Sequence, residues 1–198
     1  MTDSRWGHQE IMLEINLDFI KYFGLLGWAI FIVINIASLK MTQGFSPTTH
    51  TLSKSILIIS NKTHELVFRM SFLIKALLDV LFSFYIAKIL SVSFISLVPI
   101  LFAVAAVLFG SLAFFVEGKQ TIIHRINVYV SGTILCIAQI VAAVMIGNIT
   151  FLNITIIVST IALLIAFWSL YRNKTNFLVQ LACAVLLIVW QIGIVAIV

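Results

Sequence analysis

The sequence predicts an all-α fold: a single domain over residues 1–198, built as a polytopic integral membrane protein with a bundle of six transmembrane helices. Three observations predict it. Apolar residues make up 62% of the chain and charged residues only 10%, where a soluble domain has about half and about a quarter. The apolar residues fall into six runs, each close to the ~20 residues that a helix needs to cross a bilayer. The Lys and Arg residues, which give a formal net charge of +5, stand singly between these runs. No basic cluster with interleaved aromatics appears, so the excess is a topology signal and nucleic acid is not an expected partner.

Before the first run, residues 9–18 (QEIMLEINLD) alternate acids with apolar residues. That pattern suits a short helix in the headgroup zone, with a frayed terminus as the alternative. Asp3, Glu10, Glu14 and Asp18 are unlike the basic start of a signal peptide, and no A-x-A site follows. The first run is therefore expected to stay in the membrane. It predicts a helix over 19–39, where Gly24 and Gly27 on one side let a neighbour approach closely.

Residues 40–65 form the long connection. Gly44, Ser46 and Pro47 are turn formers, and the run Ile56-Leu57-Ile58-Ile59 is too short to span, so it should dock against the bundle or the interface. The second helix is expected over 66–90, with Arg69 and Lys88 snorkelling at its ends. The third is expected over 93–116, with Pro99 in its early turns and Ala106 and Gly110 as a small-xxx-small pair. A fourth follows over 121–146, where Gly132, Cys136, Gln139 and Ala143 share a small, weakly polar face that should meet other helices. The fifth is expected over 149–170, closed by Trp168 and Tyr171 at interface depth, and the sixth over 176–198. Cys136 and Cys183 both lie inside apolar runs without a CxxC pair, and are expected to pack as small hydrophobes.

Six spans put both termini on one side, with Arg5, Lys21 and Lys88. The other side has Lys40, Lys54, Lys62, Arg69, Lys119, Arg125, Arg172 and Lys174. The positive-inside rule then makes the termini external and the first long loop cytoplasmic, in what reads as a prokaryotic cytoplasmic membrane.

The second run carries Lys75 and Asp79 near its middle, where an isolated charge costs about 2.5–3.5 kcal/mol. Four residues apart, they share one face of a helix and can pair. One reading is an ion pair that fixes how this helix packs. The other is a gate or proton-linked element in a transport path. Without an acidic ladder on other helices the structural reading is preferred, with gating kept beside it.

Loops 1, 3 and 5 meet on one side and bring His50, Ser53, His64, Glu117, His124 and Arg125 to one membrane face. Histidines and carboxylates together bind metals or move protons, and a Ser–His pair could serve a hydrolase. The spacing supports neither: there is no HExxH or similar helical ligand pair. No metal and no cofactor is expected, and the face is read as a solvated surface that touches lipid headgroups. Glu117 and His124, joined through the tight turn that Gly118 permits, are expected to share one site there.

The loop Gly44-Phe45-Ser46-Pro47-Thr48-Thr49-His50-Thr51-Leu52-Ser53, with Phe115 through His124 and six spans in this length, resembles a prokaryotic membrane family. That family is catalogued as domain of unknown function 998 and is related to the damage-regulated autophagy modulator group of eukaryotic membrane proteins. Its pattern falls on Gly44, Phe45, Pro47, His50 and Ser53, then on Glu117 and His124. Lys54 stands where the family tends to have an acid, and no Pro precedes Glu117. The resemblance implies an association with lipids and membrane regulation, and a first loop outside the cell, opposite to the charge count.

No reaction is written in these residues, and the reading leans away from an enzyme. The leading expectation is a membrane protein of lipid-sensing, scaffolding or regulatory type. Its expected partners are membrane lipids, and next another membrane protein or a second copy of the chain. A small transporter or channel using Lys75 and Asp79 is the first alternative, and a membrane-embedded hydrolase acting on lipid headgroups is the second.

Overall fold

A computed structural model describes residues 17–172 and 175–197. Most of the headgroup helix expected over 9–18 lies outside those residues, as do Arg5 and Lys174 of the charge count. Every regular element among the described residues is helical: α1 (Leu17–Ile20), α2 (Phe23–Lys40), α3 (Leu52–Ser55), α4 (Lys62–Ile89), α5 (Leu97–Gly110, continued by a 3-10 turn at Ser111–Ala113), α6 (Thr121–Ile146), α7 (Ile149–Arg172) and α8 (Phe177–Ile197). Five of them, α2, α4, α6, α7 and α8, are long and apolar enough to cross a membrane.

The third expected span is shorter than 93–116. Ser91 has a positive φ of 52°, which breaks the chain after α4. Pro99 then sits near the start of α5, where its missing N–H breaks no helical bond. With its 3-10 turn the segment covers fourteen plus three residues, or about 27 Å. That is slightly less than the ~30 Å hydrocarbon core.

Two other boundaries moved. The first helix breaks at Lys21 and Tyr22, between α1 and α2. α4 begins four residues before the expected Leu66 because Asn61 caps it, its Oδ1 accepting from the Thr63 N–H (2.8 Å) and the His64 N–H (3.3 Å). An Asn there, with Glu65 in the first turn, is a helix start that can be read from sequence. At the far end of the bundle Gly147, at φ 75°, ends α6 with a left-handed residue. Asn148 then opens α7 by accepting from the Phe151 N–H at 3.1 Å.

The long helices form a ring in which each packs on the next in sequence, α2 on α4, α4 on α5, and so on to α8, which returns to α2. Small residues set the tightest approaches. A Cβ on Gly110 would lie 2.6 Å from the Ala76 Cβ, and one on Gly27 would lie 3.0 Å from the Lys75 Cδ. The close approach expected of both glycines is present.

Two apolar clusters fill the ring. One, toward the α6–α7 turn, packs Phe82, Tyr85, Ile86, Phe102, Ala138, Ala142, Ala143, Phe151, Trp190 and Ile194. The other, toward the long connection, packs Trp28, Phe31, Phe68, Phe72, Leu112 and Val116, with Ile56 from the connection buried among them. Ile56 thus docks the short apolar run on the bundle, while Leu57 is exposed.

Candidate functional site

Lys75 and Asp79 lie near the middle of the twenty-eight-residue α4. Their i,i+4 spacing lets the Lys75 ammonium donate to the Asp79 carboxylate, and the two form an ion pair. Lys75 is only 2% exposed, so the pair depends on what surrounds it. The ammonium sits 4.2 Å from the centroid of the Trp28 ring and 6.0 Å from that of Phe109, and a cation over an aromatic face is stabilised further when desolvated. From α8 the Gln191 amide approaches the Asp79 carboxylate. Room for it comes from Gly24, where a Cβ would meet the Gln191 amide at 2.7–2.9 Å. One turn of α2 therefore carries two glycines, Gly24 and Gly27, that admit the two polar side chains.

These groups face a cavity of about 340 Å³ in the middle of the ring. Its walls include Phe31, Phe82, Phe102, Phe109, Leu135 and Leu187, and its polar inner end has Lys75, Asp79, Gln139 and Gln191. The lining also includes Leu52, Ser53, Thr175 and Gln180 at the opposite end. From Gln180 to Gln191 along α8 the lining runs eleven residues, about 16 Å, roughly half the hydrocarbon thickness.

Among the described residues, four buried polar side-chain atoms have no hydrogen-bond partner: Trp28 Nε1, Asn35 Oδ1, Asp79 Oδ1 and Gln191 Oε1. All four residues line this cavity. Leaving such a group unsatisfied costs about 1–3 kcal/mol; Asn35 lies toward the strap end of the cavity, bonded to Ser71, and the other three at its inner end. Asn35 is fixed by the bond its Nδ2 donates to Ser71 Oγ at 3.1 Å and by another to the Phe31 carbonyl. Sequence reading found the ion pair and missed Trp28, Asn35 and Gln191. The signal was an Asn and a Gln inside apolar runs, and a Trp well inside a helix and away from the interfaces where membrane proteins concentrate it.

Gln139 meets another helix as expected: Ser159 of α7 donates to its Oε1 at 3.4 Å. The Arg69 guanidinium pairs with Glu65 at 2.7 Å and donates to the Ala113 carbonyl, tying α4 to the end of the 3-10 turn.

At the face of the long connection, residues 44–53 form a strap held to the turn before α6 and to the start of α8. The Thr51 hydroxyl donates to the Glu117 carboxylate. The Leu52 N–H donates to Gln180 Oε1 at 2.9 Å, the Phe177 N–H to the His50 carbonyl at 2.8 Å, and Asn176 Nδ2 to the Thr48 carbonyl at 3.0 Å. His50 is turned into its own loop, Nδ1 accepting from the Ser46 N–H at 3.0 Å, with its ring 5.9 Å from Phe45.

The six face residues are not gathered into one site. Ser53 is buried and lines the central cavity; it is the only one of the six to do so. Glu117 holds the strap through Thr51, while His124, also buried, bonds through Nδ1 to the Phe115 carbonyl at 2.7 Å. Glu117 and His124 thus each hold another group, and no hydrogen bond links them, though they stay close enough to act on one another electrostatically. His64 lines a different, polar pocket with Thr42, Gln43, Ser60 and Asn61, and Arg125 is exposed. Among the described residues no group of three His, Cys, Asp or Glu side chains is placed to hold a metal ion.

No family model, curated protein or solved structure matches the chain.

Proposed function

We propose that this chain is a six-span membrane protein of lipid-sensing or regulatory type, which takes an amphiphile from the bilayer into the cavity inside its helix ring. One observation carries the reading: a cavity with apolar walls begins beneath the strap at Leu52 and Ser53 and ends at the Lys75–Asp79 pair. An apolar wall some 16 Å long with a few convergent polar groups at one end is the form of a small-molecule site. In this reading α5 with its 3-10 turn is the sixth span, the bilayer thinning locally over the slight mismatch. The partners are membrane lipids, with no chemistry performed on them. The resemblance to the domain of unknown function 998 family, on Gly44, Phe45, Pro47, His50, Ser53, Glu117 and His124, agrees with a lipid-linked role.

A transporter is the second reading, favoured by the intramembrane pair at the inner end of the cavity. It would need a polar path continuing past that pair, and beyond it lie the packed side chains of Phe82, Phe102 and Trp190.

The charge asymmetry places the strap face in the cytoplasm. A cysteine at the exposed Lys119, in a background lacking Cys136 and Cys183, should then react with an impermeant maleimide only after cells are opened. Labelling of intact cells would favour the opposite orientation.

Native mass spectrometry of the purified protein tests the function. A bound amphiphile should appear on the wild-type chain and disappear when Ala184→Trp fills the cavity. An adduct of the same mass on both proteins would contradict the reading. Uptake of a solute by vesicles containing the protein would move the case to the transporter.

A further inference from the structure

The long helices carry six side-chain amides: Asn35 on α2, Asn127 and Gln139 on α6, Asn153 on α7, and Gln180 and Gln191 on α8. Five of them reach another segment of the chain. Asn35 donates to Ser71, Asn127 donates to Ser111 at 2.7 Å, Gln139 accepts from Ser159, Gln180 accepts from the Leu52 N–H, and Gln191 bonds Asp79. Asn153 is the exception. It is exposed, and among the described residues no group bonds its amide.

The depth of Asn153 makes the missing partner costly. α7 has 24 residues, about 36 Å. Centred on a hydrocarbon core of ~30 Å, it holds Asn153 just inside the apolar layer, where lipid tails offer no hydrogen bond. Polar side chains at such positions bond across to a neighbouring helix. Within the ring α7 gives Asn153 no neighbour, because its buried face, with Phe151, Thr155, Val158 and Ala162, is turned the other way.

The residues in line with Asn153 extend the same outward face. At alternating steps of four and three, Ile157, Thr160, Leu164, Phe167 and Tyr171 are all exposed. That is the 3.5-residue repeat by which two helices stay in contact along a shallow left-handed crossing. From Asn153 to Tyr171 it runs eighteen residues, about 27 Å, most of the bilayer. The outward stripe of α8, with Leu178, Val185, Val189 and Ile192, is exposed too but apolar, and lipid alone satisfies it.

The amide itself selects what covers α7. A carboxamide has a donor NH2 and an acceptor carbonyl, so its best complement is a second carboxamide turned head to tail, with opposite partial charges facing. Copies of one chain enter the membrane the same way round. A two-fold axis along the membrane normal therefore sets each residue of the stripe against its own counterpart at the same depth.

We propose that the outward face of α7 is the interface of a parallel homodimer, closed by hydrogen bonds between the Asn153 amides of the two copies. The interface lies on the outer side of the ring and is independent of what the cavity binds.

The experiment uses the full chain lacking Cys136 and Cys183. Single cysteines are placed at Ile157, Thr160 or Leu164 on α7, or at Val185 or Val189 on α8, and oxidised in native membranes with copper phenanthroline. Disulfide-linked dimers should form at the α7 positions and not at those on α8. Energy transfer between donor- and acceptor-labelled chains in vesicles then reads the monomer–dimer equilibrium. Asn153→Leu should raise dissociation about three- to thirtyfold, the range for polar bonds between membrane helices. Asn153→Gln, which keeps the amide, should stay close to wild type, and Ile192→Leu on α8 should change nothing. Crosslinks as strong on α8 as on α7, or unchanged dissociation of Asn153→Leu, overturns the interface. So does a chain that stays monomeric at every lipid ratio, whether lipid or another protein then covers α7. The crosslinked chains keep Asn153, so that result stands even where a variant at 153 fails to fold.

Discussion

Two tryptophans, both buried within the helix ring, occupy different kinds of protein interior. Trp190 on α8 is fully buried, stacks on Phe102 at 5.5 Å, and gives its N–H to Thr155 Oγ1 at 3.0 Å. Around it Ala138, Ala142 and Ala143 are also fully buried, so α6 lies close against its neighbours. Trp28 on α2 has a cation over its ring and a cavity beside it, and its N–H has no partner. On the side of the α6–α7 turn the interior around Trp190 is close-packed and its N–H is paired, as in most native interiors. On the cavity side, around Trp28, neither holds. A fold that can pack one half this way and leaves the other open holds its unsatisfied groups where a ligand could reach them. That contrast is the main ground for placing the function in the strap-side half.

The largest effect should come from the ion pair. Lys75→Ala alone leaves a buried carboxylate without its counter-charge, and should lower stability by about 3–5 kcal/mol. Lys75→Ala with Asp79→Ala should cost much less, since removing both partners of a buried pair is often near neutral. Thermal unfolding in detergent of the two single variants and the double one measures this. Costs that simply add would mean that the pair is not a unit and that the inner end of the cavity is differently organised.

Next comes the satisfied half. Thr155→Val removes the acceptor from Trp190 and leaves its N–H buried and unpaired, which should cost about 1–3 kcal/mol. Trp28→Phe removes an N–H that already lacks a partner and keeps a ring beneath Lys75. Its cost should stay below about 1 kcal/mol, with only part of the cation–π attraction lost. Equal costs for Thr155→Val and Trp28→Phe would erase the distinction between the two halves.

Two glycines mark a related contrast, between a helix seam and the cavity wall, at smaller magnitude. Gly110→Ala forces a methyl to within 2.6 Å of the Ala76 Cβ, and overpacking of this kind costs about 1–3 kcal/mol. Gly132 lines the cavity, and a Cβ there would meet nothing within 4 Å. Gly132→Ala should therefore stabilise the helix by about 0.4–1 kcal/mol through the unfolded chain. A destabilised Gly132→Ala would mean that the α6 side of the cavity is closed in the membrane.

Much of the frame is legible in the residues. Apolar runs of span length mark five long helices, and Gly24, Gly27 and Gly110 stand where helices touch. Lys75 and Asp79 declare themselves because charge in hydrocarbon must be paired. Short-range chemistry was harder to weigh: Asn61 starting α4 was passed over, and Ser91 and the 3-10 turn shorten the third helix. The site was only partly visible. Gln191 and Asn35 are single polar residues in long apolar runs, and nothing local says that α8 returns to α2 and sets Gln191 beside Asp79. That closure is a property of the ring. The face residues show the converse: His50 and His124 bond neighbouring backbone groups and Glu117 bonds Thr51, links that the sequence does not announce.

The most direct measurement compares the two tryptophans themselves. Two variants are made, one keeping Trp28 and the other Trp190, with every other Trp changed to Phe, and each is titrated with a brominated decanol that quenches indole on contact. Trp28 emission should fall saturably, while Trp190, sealed behind Phe102 and Phe151, should keep its emission over the same range. Equal quenching of both, or protection of Trp28, would contradict an open, ligand-binding half beneath the strap.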